Sequence, residues 1–524
     1  MRVRNLRYLA VFILLPALPS AAQQVLYSPF IDDRQAVRLD ILGKAGDYYW
    51  IQKNTRKKMV DLPATPWRND PLPTFQIFDS RMIPVRETTS LPVTEKTIKE
   101  YFICGDRYFD LLVLEAGREE TLLKWRRYTA EGTVFSDTRT ICSFSFLEKG
   151  NNFLLVRSAD KTKILLAAFE SVADSAPRLH TLLFDDNWNV LSAAVYHHPF
   201  ITQPCVQYDF YNLPLEIFDN SPVKLADNGQ LLMLTPSRKD QNYLLFHLAG
   251  TDTAIAFTEI NTTAQVQVEQ VSLSLDNHSG EVFTGILSRF RYSALKNVDV
   301  ARYSFATGKV DFDSSYRFNT LSSFRVKNQN LVEENFIPVP GSGFLLLKEY
   351  GKDYASLFYR REDEEDQLDA GIIFTNNVIA NDAENIPVNK NEFTRYSTLA
   401  GPKTVYDRGD LSMFYFPATA GDSCWSGLIN QSQNTDFNVA SLSYLPVSTA
   451  DKTYFLYNSF FKQEQQLAST TVIDHRGNLI ENEGIVFWKL RNSLLFQKAV
   501  RIAVNEVAVP YNNYRRMGLA VIRF

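Results

Sequence analysis

Six histidines, four cysteines and a few acids set among aromatic rings are the residues of this 524-residue chain that could do chemistry. His197 and His198 are adjacent, with His180 upstream and Cys205 seven residues on. A metal needs three or four converging ligands. Neighbouring residues of a strand point to opposite faces, so one of the pair at most could join a given site. Pro199 follows and marks a strand end or turn. No carboxylate completes the set, and neither a metal nor another cofactor is expected.

Paired acids above aromatic rings are the chemistry of sugar cleavage. Asp47 stands beside Tyr48, Tyr49 and Trp50; Asp185 and Asp186 stand beside Trp188; Asp209 lies between Tyr208 and Phe210. Asp185-Asp186 reads better as a hairpin turn. Asp47, Tyr48, Tyr49 and Trp50 are the candidate binding residues, taken as the best surface aromatic patch among these clusters. No catalytic residue is assigned. The chain contains no G-x-S-x-G, H-E-x-x-H, G-x-x-x-x-G-K-[ST] or G-x-G-x-x-G. Asp311-Phe312-Asp313 opens like a calcium loop, but Tyr316 and Ser322 replace the glycine and glutamate such a loop requires. The acidic run Glu362–Asp366 reads as a solvated loop, and Arg408-Gly409-Asp410 as a chance occurrence of an adhesion tripeptide. Asn261, Asn277 and Asn430 begin glycosylation acceptor triplets.

The first 22 residues read as a removable export signal. Arg2, Arg4 and Arg7 precede an apolar stretch from Tyr8 to Leu18, too short to span a bilayer. Ser20 and Ala22 supply the small residues of a cleavage point, so the mature chain, 23–524, is expected to begin at Gln23 as one domain in the periplasm, at the cell surface or outside the cell. Loss of the three arginines takes the net charge from −4 to −7. That balance excludes a dedicated nucleic-acid binder. In an oxidising compartment Cys104, Cys142, Cys205 and Cys424 allow up to two disulfides. A bridge between Cys104 and Cys142, both in aromatic strand-like contexts, is a possible pairing; four buried free thiols is the alternative.

The elements that must carry these residues are strands. Aromatic residues are abundant, with 37 Phe and 25 Tyr, and they favour strands. Short apolar runs bounded by turn residues recur at Leu111–Leu114, Phe153–Val156, Leu231–Leu234, Phe344–Leu347 and Tyr454–Tyr457. Lys163–Ala173 fits a helix or a strand. An Asp-centred turn joins apolar stretches in Leu183–Val190 and again in Val472–Leu479, with a looser copy in Tyr303–Val310. The spacing reads as a diverged repeat of four-stranded modules, the gap between Phe344 and Tyr454 being near two units. The expected fold is all-β: a β-propeller of seven or eight four-stranded blades.

The C-terminal part strengthens this. Cys424–Gln433, Lys452–Asn458, Ile473–Asn478, Val509–Tyr511 and Met517–Ala520 occur in an order that resembles a group of uncharacterised exported bacterial β-propeller proteins. The motifs are structural, at strands and turns, and the resemblance implies a fold without a catalytic pattern. The rival architecture is an outer-membrane β-barrel, whose strands should alternate apolar and polar residues. The continuous apolar runs instead suit strands buried on both faces. The expected function is an exported binding or scaffold module that recognises a protein or a glycan; the alternative is a carbohydrate-active hydrolase or lyase with carboxylates at the propeller channel. No spanning helix is expected, and a monomer is the expected state.

Overall fold

The computed structural model describes residues 24–524 apart from 32–36, 56–73, 90–95, 146–151, 171–176, 200–220, 237–241, 249–254, 264–265, 291–294, 320–329, 357–372, 376–402, 430–432, 436–443, 450–451, 462–464, 475, 486–492, 504 and 514–515. The described strands form eight separate sheets. Blade 1 is β2 (Val37–Ala45), β3 (Tyr48–Thr55), β4 (Thr74–Phe78) and β5 (Pro84–Thr89). Blade 2 is β6 (Thr97–Cys104), β7 (Tyr108–Ala116), β8 (Thr121–Thr129) and β9 (Arg139–Phe144). Blade 3 is β10 (Phe153–Arg157), β11 (Lys163–Glu170), β12 (Arg178–Asp185) and β13 (Val190–His197). Blade 4 is β14 (Val223–Leu225), β15 (Leu231–Pro236), β16 (Tyr243–Leu248) and β17 (Ala256–Ile260). Blade 5 is β18 (Val266–Asp276), β19 (Glu281–Phe290), β20 (Leu295–Ser304) and β21 (Lys309–Asn319). Blade 6 is β22 (Asn330–Val339), β23 (Gly343–Ser356), β25 (Lys403–Pro417) and β26 (Trp425–Ile429), with β24 (Ile373–Thr375) and β27 (Gln433–Thr435) on the far ends of β23 and β25. Blade 7 is β28 (Tyr444–Ser448), β29 (Lys452–Phe461), β30 (Gln465–Asp474) and β31 (Leu479–Ile485). Blade 8 joins β32 (Ser493–Leu494), β33 (Val500–Ala503), β34 (Glu506–Asn513) and β35 (Arg516–Arg523) to β1 (Gln24–Tyr27) from the other end of the chain.

First strands of neighbouring blades touch, β2 with β6, β14 with β18, β18 with β22 and β33 with β2. They therefore form the hub, and the fourth strands form the rim. The chain is an eight-bladed β-propeller. The ring closes without a covalent link: β1 is the rim strand of blade 8, pairing Gln24 with Arg523 and Tyr27 with Ala520. Eight distinct sheets exclude a single closed barrel.

Eight apolar clusters hold the ring, one at each seam between neighbouring blades. The second strands serve two seams at once. On β7, Leu112 and Leu114 pack against blade 3, while Leu111 and Val113 pack against blade 1. The period of two thus buries every residue of the run, each buried Leu or Val contributing roughly 1.5–3 kcal/mol. Lys163–Glu170 is strand β11 for the same reason: Ile164, Leu166 and Ala168 face blade 2, and Leu165, Ala167 and Phe169 face blade 4. The wide gap before Tyr454 is not two units. It is one blade whose second and third strands, β23 and β25, are separated by residues 357–402.

The Asp-centred turn recurs as a structural device. In 79–83, 129–133, 185–189 and 474–478 the first residue's N–H donates to the fifth carbonyl, and the fourth N–H donates to the first carbonyl. Each joins the third and fourth strands of its blade. Asp79, Asp185 and Asp474 accept from the N–H groups two and four residues on, all at 2.8–2.9 Å. The fourth residue has positive φ: 65° at Met82, 89° at Gly132, 64° at Trp188 and 82° at Gly477. Met82 and Trp188 push large side chains into the seam. At the two glycines the preceding blade fills that space instead: a Cβ on Gly477 would lie 2.5 Å from Trp425, and one on Gly132 would meet Ile77.

Two sequence expectations are corrected here. Cys104 and Cys142 do not form a bridge; neither is in a disulfide. Cys104 lies on the hub strand β6 and Cys142 on the rim strand β9, with β7 and β8 between, and they pack into opposite seams. A disulfide needs Cα atoms within about 7 Å, less than three strand spacings. Tyr49 and Trp50 are likewise core rather than surface, being 1% and 0% exposed. Successive residues of β3 serve successive seams, Tyr49 towards blade 8 and Trp50 towards blade 2. Cys205, Glu362–Asp366, His475, Asn430 and residues 1–22, read from sequence as an export signal, lie outside the described residues.

Candidate functional site

The zigzag of each blade gives the disc two unlike faces. First–second and third–fourth hairpins fall on one face, where the longest connection, 130–138, has nine residues. Second–third and blade-to-blade connections fall on the other. There the strand ends are joined by residues 56–73, 198–222 and 357–402. Blade 6 also grows out of that face. β23 continues past its pairing with β22 at Gly351, so that Lys352–Ser356 pair only with β25 and β24. β27 adds to the far end of β25 through Arg408↔Gln433 and Tyr406↔Thr435. Arg408-Gly409-Asp410 is therefore part of a paired strand, not a loop.

Charged groups gather where the hub strands begin, on this connection face. Glu269 of β18, Lys296 of β20, Glu334 of β22 and Lys348 of β23 form a chain across the seam between blades 5 and 6. Lys296 Nζ is 2.6 Å from Glu269 and also contacts Glu334, whose other oxygen is 3.1 Å from Lys348 Nζ. Gln270 locks the same hub strands, donating to the Glu334 carbonyl at 2.7 Å and accepting from the Phe336 N–H at 2.9 Å. Burial holds Lys348 below the ordinary lysine range although Glu334 opposes the shift. Two acids converge here, but both are neutralised by lysines; an acid–base pair for glycoside cleavage needs one acid kept protonated. The arrangement is a charge clamp between two blades.

On the opposite side of the hub, Glu100 near the start of β6 behaves differently. Burial pushes its carboxyl up to about 7, with no second cause. It lies on the strand side of Phe102 and Cys104, which face blade 1. Lys99 on the other side of the strand is lowered to about 8 by the same desolvation and sits 5.0 Å from the Tyr101 ring. The sequence signal was available: Lys99-Glu100 is a charged pair inside an otherwise apolar and aromatic strand.

The four residues proposed from sequence are not brought together as a site. Asp47 is exposed at the β2–β3 turn on the hairpin face, and Tyr48 is half-buried. The Trp50 indole N–H donates to the Ala130 carbonyl at 2.9 Å and its ring stacks on Phe109 at 3.9 Å. His197 ends β13, and His198 packs on the Phe246 and Phe257 rings. No group of three metal-ligating side chains occurs among the described residues. Asp185 is a turn acceptor, as its position beside Asn187 and Asn189 required. Sequence reasoning missed a buried pair: Arg127 donates to both oxygens of Asp110 at 2.7 and 2.8 Å, and the Trp188 N–H donates to Asp110 at 2.9 Å.

No family model and no curated protein matches the sequence. Solved structures match in fold. The WD40 domain of SCAP from fission yeast is 7% identical, covering 96% of this chain and 98% of its own, with a TM-score of 0.37. A polysaccharide lyase is 10% identical over 95% of this chain and 98% of its own, with a TM-score of 0.35. The β-propeller domain of the Trilobed protease from Pyrococcus furiosus is 9% identical over 81% of this chain and 94% of its own, with a TM-score of 0.30. At these values the likeness concerns the fold alone. Among the described residues no helix is long and apolar enough to cross a membrane.

Proposed function

We propose that this chain is an exported binding or scaffold ring that recognises a protein or a glycan on its connection face. The observation that carries the reading is the asymmetry of the disc. Hairpin-face connections run to nine residues at most, at 130–138, whereas the strand ends joined by residues 56–73, 198–222 and 357–402, and the blade 6 extension, lie on the other side. A rigid scaffold with its variation gathered on one face is how propellers present ligand-binding loops. The export signal at 1–22 supports an extracytoplasmic setting, and N-terminal sequencing of the exported product is expected to read from Gln23.

The ligand experiment is a screen of the mature chain against glycan and protein arrays, repeated with charge reversals on each face. Arg118, Glu119 and Glu120 are exposed in the β7–β8 turn on the connection face; Arg81 and Asp186 are exposed on the hairpin face. Binding weakened by the first set and kept by the second supports the reading. The converse pattern overturns it.

A carbohydrate-active hydrolase or lyase is a second reading: Glu100 is a carboxyl on a hub strand that burial raises to about 7. Polysaccharide cleavage lost in Glu100→Gln while binding persists would select it.

A further inference from the structure

The rim strand of blade 3, β13, is a sheet edge without the usual protection. Its residues, Val190–His197, include no charged residue, no proline and no glycine. The rim strands of blades 1, 2, 4, 5 and 7 each carry charge, that of blade 6 holds Gly427, and β1 of blade 8 has only four residues. Charge, proline, irregularity and shortness are what keep a free edge from pairing with another chain. β13 also exposes three large apolar side chains, Val190 at 51%, Leu191 at 50% and Val195 at 37%. β12 pairs with one side of the strand. Among the described residues no other backbone hydrogen bond reaches residues 190–197.

Part of this edge shares a groove with blade 2. Val190 stands opposite Phe184 of β12, and Val195 opposite His180 four residues back on the same side. Phe184 packs in the seam with blade 2, so Val190 and Val195 face the rim of that blade. There Arg139 of β9 is exposed and lies over the Trp125 ring at 4.3 Å. Trp125 packs in the same seam, which turns Arg139 towards blade 3. Among the described residues no carboxylate pairs with Arg139. The Trp125 indole N–H, in a side chain 4% exposed, is buried without an acceptor, a costly state for a donor. The groove thus combines an open strand edge, an apolar wall and two donors that lack an anion.

These features select the occupant. A free strand edge is completed by another extended backbone, whose alternate side chains fall on one face; lipid and sugar offer no such ladder. A cation beside an unpaired N–H calls for a carboxylate. A second copy of β13 brings none, because Val190–His197 contains neither Asp nor Glu. We propose that the edge of β13 docks an extended segment of a partner protein, apolar at alternate positions and carrying one acidic side chain that pairs with Arg139. The site lies on the rim, so it does not rest on what the connection face binds.

The test is fluorescence anisotropy with two labelled, capped peptides of alternating valine and threonine, one with a central glutamate and one with a central lysine. The glutamate peptide is expected to bind the protein about fivefold or more tighter than the lysine peptide. Arg139→Gln should remove that preference and keep the binding common to both. Leu191→Lys places a charge on the edge and should weaken both peptides by about tenfold or more, with an unchanged circular-dichroism melt. Ile480→Lys, also exposed but on the rim strand of blade 7, is the control and should bind as wild type. Should Leu191→Lys melt early, Val190→Lys replaces it. No saturable binding of either peptide, binding untouched by Leu191→Lys or lowered equally by Ile480→Lys, or a glutamate preference kept in Arg139→Gln overturns the proposal. So does a peptide-free dimer that Leu191→Lys converts to monomer, which would assign the edge to a second copy.

Discussion

Tyr49 donates its phenol hydrogen to Glu506 at 2.6 Å, joining residues 457 positions apart across the seam where the ring closes. Glu506 also accepts from Lys44 at 2.9 Å and from Arg523 at 2.8 Å, and Arg523 reaches the Tyr49 oxygen at 3.1 Å. Those hydrogen bonds keep the Glu506 carboxyl below its ordinary range despite burial. The cluster secures the one seam whose two blades come from opposite ends of the chain. Tyr49→Phe is expected to cost about 1–2 kcal/mol, because the carboxylate loses a buried donor. Glu506→Ala should cost more by stranding two cations. Hydrogen exchange should rise first in β1, β2 and β35; uniform loosening of all blades would contradict a closure role.

The pair Asp110–Arg127 predicts a steeper penalty. Arg127 sits over the Tyr108 ring at 4.6 Å and gives both Asp110 oxygens a donor. Arg127→Leu leaves a buried carboxylate with, among the described residues, the Trp188 donor alone and should destabilise by about 3–5 kcal/mol. Replacing both charges with apolar residues should recover much of that loss, read from denaturant midpoints.

The repeated turn predicts an exchange of plugs. Gly477→Ala places a methyl against Trp425 at a φ of 82° and is expected to cost about 2 kcal/mol or more. Trp425→Ala in the same chain should lower the cost of the methyl, leaving only the backbone strain. A double-mutant cycle with full additivity would argue against this packing.

His247 and Glu100 predict pH dependences of opposite sign. His247 is buried against Tyr303, ring centroids 4.4 Å apart, and burial holds it at about 4. Between pH 4 and 6.5 the unfolded chain binds more protons there, so this contribution is lost as pH falls, by as much as about 3 kcal/mol. Glu100, raised to about 7, binds more protons when folded between 4.5 and 7, so its contribution is lost as pH rises. The two slopes offset each other. His247→Phe should therefore expose stability that declines with rising pH, and Glu100→Gln stability that climbs. Urea titrations from pH 4.5 to 7.5 would read both; unaltered slopes would show that neither group titrates as described.

Much of the fold could be read from local chemistry alone. Runs such as Leu111–Leu114 announced strands buried on both faces, and Asp185 and Asp474 announced their turns, because period and turn preference act over a few residues. What such reasoning could not supply was register between repeats. Phe153–Val156 belongs to a hub strand while the other apolar runs named belong to second strands, and a run carries no mark of its place in the blade. The insertion 357–402 looked like part of a further blade for the same reason.

The sequence by itself determined that the chain is all-β, built of repeated four-stranded units and punctuated by Asp-centred turns. Tertiary structure alone decided which aromatic residues are core and which acids are paired. Tyr49, Trp50, Cys104 and Cys142 are assigned to seams by the neighbouring blade each strand side meets, and Glu506 finds Tyr49 only because β1 pairs with β35 and brings blade 8 against blade 1. Seams join residues of large sequence separation, so their partners are fixed by closure of the ring and not by any local pattern.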